Sequence, residues 1–142
     1  MRRLASALAA LLAVVPSWLA AKDSAVEDAQ INAKMVLVTA RLVHSQTGSF
    51  DGMTVPAVKA KHPDLTVVAD GPSANPETVG IKAMGHFRIV AYASGYCWGI
   101  REPTPAERVP TLYAKRKSEP KDCKASSFSD GDFKEHSHIW AR

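Results

Sequence analysis

Residues 4–21 carry no charged side chain. Ala, Leu and Val dominate this run, and Ser6, Pro16, Ser17 and Trp18 interrupt it. At about 1.5 Å per residue, an uncharged helix of this length measures roughly 27 Å, close to the hydrocarbon thickness of a bilayer. Arg2 and Arg3 precede the run. Positive charge stays on the cytoplasmic side, so everything after Ala21 is expected to lie outside. The run has two readings. In one, Arg2 and Arg3 form the basic start of a cleaved signal peptide whose apolar stretch covers residues 4–15. In the other, the run is a retained helix. Leu19-Ala20-Ala21 and Trp18 set bulky residues where a signal peptidase needs small ones, which favours retention.

The following residues favour retention too. From Lys22 there is no helix breaker until Gly48. Val26, Ala29, Ala33, Val36, Leu37, Ala40 and Val43 recur at gaps of three and four, one stripe along one helix face. Asp23, Glu27, Asp28, Asn32, Lys34 and Arg41 fall mostly off it, and Gly48 is a stop signal. The chain therefore divides into an apolar half-helix over residues 1–21, an amphipathic half-helix over 22–48 and a globular β domain over 49–142.

Beyond Gly48 the pattern changes. Pro56, Pro63, Pro72 and Pro76, with Gly, Ser and Asn, read as turns. Short β-rich runs lie at residues 65–69, 79–83 and 87–93. Ser94-Gly95 then forms a hairpin turn into residues 96–101, and Leu112-Tyr113-Ala114-Lys115 reads as a last strand. The expected fold is α+β: one long helix packed on a small antiparallel sheet of about four strands, with a C-terminal disulfide loop. Cys97 and Cys123 have neither CxxC nor zinc spacing. In an exported small domain such a pair forms a bridge, worth about 3 kcal/mol by chain entropy.

The order of these parts resembles the type IV pilins and type II secretion pseudopilins. Residues 8–19 look like that family's membrane half-helix, with proline followed by a small residue and an aromatic. Ala25-Val26-Glu27-Asp28-Ala29-Gln30-Ile31-Asn32 looks like its amphipathic second half. Ser45-Gln46-Thr47-Gly48-Ser49-Phe50 resembles its helix exit. Residues 94–100 and Asp122-Cys123-Lys124-Ala125 resemble the start and end of its C-terminal disulfide loop. The sequence lacks the basic leader and the Phe-Thr-Leu-Ile-Glu start. Counting back from Pro16 puts that start a few residues before Met1, so no processing residue carries over.

The resemblance implies a structural subunit without catalytic activity or cofactor. It would assemble through Leu8, Leu11, Leu12, Val15, Pro16 and Leu19 with other pilin-like subunits and the pilus or secretion assembly machinery. Its place would be the bacterial inner membrane with an exported C-terminal domain, or an extracellular filament. Two other readings stand beside it: a secreted disulfide-containing binding module released by signal cleavage, and a minor pilin that binds DNA or a surface.

Few residues carry chemistry. No GxSxG nucleophile motif or phosphate-cradling glycine loop occurs. A bridged Cys97 is no nucleophile. His136 and His138 have the spacing of two metal ligands on one side of a strand, against the plainer reading of a polar tail. Asp130 and Asp132 have oxygen-rich turn chemistry that suits calcium, against an ordinary Asp-Gly turn. Some secretion pseudopilins carry calcium in this region. Tyr92, Tyr96, Trp98 and Tyr113, near Arg88, Arg101 and Lys115, suggest a stacking surface for single-stranded DNA, with core packing as the plainer reading. The net charge of +4 contains no block of five like charges, so it permits an anionic partner without demanding one.

Overall fold

The computed structural model describes residues 17–135 and 137–140. Helix α1 spans Ser17–Thr47. Its inward face is the sequence stripe: Ala29, Ala33, Val36, Leu37 and Ala40 are buried, and Val26 and Val43 pack against them. Three of those five are alanines, which lets the helix lie close to the sheet. Gly48 ends α1 in the left-handed region at φ 76°, where its N–H donates to the His44 carbonyl at 2.7 Å.

The membrane half of the expected helix needs correction. Among the described residues, no helix is long and apolar enough to cross a membrane. Lys22, Asp23, Glu27 and Asp28 bring charge into α1 soon after it begins. Of the residues assigned to assembly, Leu8, Leu11, Leu12, Val15 and Pro16 lie outside the described residues, and Leu19 falls within α1.

A short helix, α2 (Val55–Lys61), follows where a turn was expected. Pro56 stands in its first turn, where no amide donor is needed, and Thr54 caps it by accepting from the Ala57 N–H. Proline here starts a helix instead of breaking one.

The sheet also departs from expectation. It has five strands in sequence order: β1 (Thr66–Ala69), β2 (Thr78–Met84), β3 (His86–Ala93), β4 (Tyr96–Glu102) and β5 (Leu112–Lys117). It is mixed, not antiparallel, because β1 runs parallel to β2 while the other pairs are antiparallel. A parallel neighbour normally requires a long crossover. With β1 only four residues long, residues 70–77 suffice to bring the chain back.

The sheet is buried on both faces. On the first, Phe87, Ile89, Ala91, Trp98 and Ile100 meet α1. On the second, Val90, Cys97 and Ala114 meet Cys123, Ala125, Phe128 and Phe133 of the C-terminal segment. Gly99 makes this second layer possible. A Cβ there would stand 3.2 Å from Phe133 and 3.4 Å from Phe128. The segment then reaches the edge of β5, where Tyr113 and Lys134 exchange backbone hydrogen bonds of 2.8 Å. Trp140 ends up in the first core, donating from Nε1 to the Ala114 carbonyl at 3.1 Å.

Candidate functional site

Helix α1 has a second apolar stripe. Ile31, Met35, Val38 and Leu42 follow one another at gaps of four, three and four. At 100° per residue they centre almost opposite Ala33 and Ala40. Their exposures are 47%, 39%, 65% and 46%, so among the described residues four of the seven large exposed hydrophobics stand in this one row. Sequence reading found the inward stripe and stopped there; the same periodicity count, begun at Ile31, finds the outward one.

Polar contacts flanking this row tie α1 to the rest of the fold. Asn32 Nδ2 donates to the Pro76 carbonyl at 2.9 Å, and Thr39 Oγ1 lies 2.8 Å from His62 Nε2 at the end of α2. Arg41 Nε donates to Glu102 Oε1 at 2.9 Å and its Nη2 to Thr111 Oγ1 at 2.6 Å. The hydrogen bond to Glu102 raises the Arg41 pKa above its ordinary value. Gln30 donates to the Trp140 carbonyl, fastening the C-terminal turn beside the helix.

The second layer contains an ionic cluster. Arg88 and Arg101 are cross-strand partners on β3 and β4 and both are buried. Arg88 Nη1 donates to the Phe128 carbonyl at 2.6 Å and to Ala125 at 3.2 Å. Its Nη2 reaches Asp130 Oδ1 at 2.6 Å, and Arg101 Nε reaches the same oxygen at 3.3 Å. Arg101 Nη2 also pairs with Glu107 at 2.5 Å. The Arg88 hydrogen bond, aided by both positive charges, holds Asp130 below the usual carboxylate range.

Of the residues singled out by sequence, Arg88, Arg101 and Asp130 thus meet, as do the two cysteines. Cys97 and Cys123 are bonded, with Cα atoms 5.2 Å apart. Asp130 serves two arginines, and Asp132 turns back to accept from the Ser129 N–H at 2.6 Å. His136 lies outside the described residues, and His138 is exposed. Among the described residues, no group of three or more His, Cys, Asp or Glu side chains could hold a metal ion. The aromatic set is divided by the sheet: Tyr92 packs in the second core, while Trp98 and Tyr113 belong to the first. Tyr96 and Trp98 meet at 6.1 Å, with Lys115 Nζ 4.4 Å from the tyrosine ring and 4.7 Å from the tryptophan.

Together these features define a disulfide-stapled domain of one long helix, one short helix and a five-stranded mixed sheet, with an exposed apolar row on the outward face of the long helix. No protein family model matches the chain, and no curated protein or solved structure is significantly similar to it.

Proposed function

We propose that this protein is a structural pilin-like subunit, exported from the cytosol, that assembles by packing α1 against the same helix of another copy. One observation carries the reading: the exposed row Ile31, Met35, Val38 and Leu42 opposite the buried face of α1. Apolar surface left in water costs about 25 cal/mol per Å², which covering the row would recover. Gaps of four, three and four are those of a seam where helices of equal pitch interlock. A second α1 supplies the same row at the same spacing, and that makes it the fitting occupant. The disulfide supports export, since such bridges persist in oxidising compartments.

The test uses the full chain with Val38→Glu and Leu42→Glu combined. Wild-type protein is expected to self-associate in sedimentation velocity and to enter filaments in the producing cell. The double variant should sediment as a monomer and be excluded from filaments while keeping its melting temperature, because both side chains already face water. Unchanged association and unchanged filament entry would overturn the proposal.

A further inference from the structure

Two pins hold the C-terminal layer on the sheet. One is the Cys97–Cys123 bond. The other is the ionic cluster around Asp130, and Phe128 and Phe133 lie over Gly99 beside it. His86 sits within that second pin with a side chain only 10% exposed. Both of its ring nitrogens face guanidinium groups. Arg88 Nε donates to Nε2 at 3.1 Å, and Arg101 Nη2 stands 3.3 Å from Nδ1. A neutral imidazole has one acceptor nitrogen, and an imidazolium has none. A proton gained by His86 therefore removes the acceptor that Arg88 uses and sets a third positive charge beside two buried ones.

Independently of assembly, we infer that His86 is a pH-sensitive latch: its protonation releases the Asp130–Asp132 turn with Phe128 and Phe133 from the sheet, while the disulfide keeps the segment tethered. The charged groups facing His86 are Arg88 on β3, Arg101 on β4, Glu107 on the Pro105–Glu107 turn and Asp130. The two carboxylates favour the protonated ring. Burial first, then Arg101 and Arg88, outweigh them, and the His86 pKa falls below its ordinary value. Unfolded or released chain binds the proton more readily than the closed form. The latch is thus fully closed above about pH 6.5 and loses stability as pH falls through the depressed value. Asp130 and Glu107 are themselves held below the usual carboxylate range, so they stay charged across this window. Opening uncovers Phe128 and Phe133, which are 3% and 4% exposed when closed.

Nuclear magnetic resonance on the full chain tests the latch. Titrating the carbon-bound ring protons of His86 downward from about pH 7.5 gives its midpoint in the closed form, expected below the ordinary histidine value. Amide exchange at Lys134, whose N–H donates to the Tyr113 carbonyl, reads the segment after correction for intrinsic rates. Protection should fall about tenfold per pH unit, the slope of one proton, between about pH 6.5 and that midpoint, and level off below it. His86→Gln should hold it constant. Flat protection in the wild type, or the same fall in His86→Gln, would overturn the latch. If His86→Gln does not fold, Glu107→Gln decides. It removes a carboxylate that favours the protonated ring, so the ring midpoint and the pH at which the fall in protection levels off should move lower together. A ring midpoint that moves while the levelling-off point stays would also refute it.

Discussion

Arg88 joins three parts of the C-terminal segment through one side chain: the Ala125 and Phe128 carbonyls and the Asp130 carboxylate. Its burial is offset because each of its three nitrogens donates, whereas Asp130 remains largely in water. Arg88→Met should therefore leave two carbonyls without donors yet strand no buried charge. A loss of about 2 kcal/mol in urea unfolding is expected. Gly99→Val drives a branched side chain into the phenylalanine pair and should cost about 1–3 kcal/mol by overpacking, read in the same way. None of this network was legible in the sequence. Arg88, Arg101 and Asp130 stood out there for stacking and for turn chemistry. Pairing across 42 and 29 residues leaves no mark in local spacing.

At the scale of elements, sequence periodicity located α1, its Gly48 stop and every β run, because both signals are local. It missed α2, since a proline in a first turn and a proline in a loop look alike until a cap is seen. It also missed the parallel β1–β2 pair, because alternation shows a strand's faces and not its direction. Helix α1 gives the sharpest contrast between its two faces. Ala33→Leu on the inward face should cost about 1–3 kcal/mol through overpacking against β3. Val38→Glu on the outward face should stay within about 0.5 kcal/mol of wild type. Thermal melts of the two variants check this pair, and a costly Val38→Glu would mean the row packs within its own chain.

The described residues form three layers, and only the first two were readable from sequence. A segment dominated by polar residues reads as surface, yet Phe128 and Phe133 make it a second core once the chain folds back over Gly99. The disulfide closes this layer at a separation of 26 residues. Replacing both Cys97 and Cys123 with alanine should cost about 3 kcal/mol, measured by calorimetry against the oxidised protein. Acid should act in a lower window than His86. Partial burial opposes ionisation of Asp70, but hydrogen bonds from Lys82 and Ser126 prevail and lower its pKa. Asp130 and Asp132 are lowered too, by hydrogen bonds from Arg88 and from Ser129 respectively. Their contributions are complete at neutral pH and decline as pH falls below about 4, so a second loss of melting temperature is expected there.

The sheet between α1 and the C-terminal layer also gives the protein two chemically separate sides. A dye attached to Lys121, whose side chain is 76% exposed, rides on the layer opposite α1. Light from such a dye can follow the opening of that layer while α1 stays unlabelled and available to a neighbour. Under the proposed assembly, joining and reporting would then be followed on opposite sides of the same molecule, and cargo grafted to the outer layer would not compete with packing through α1.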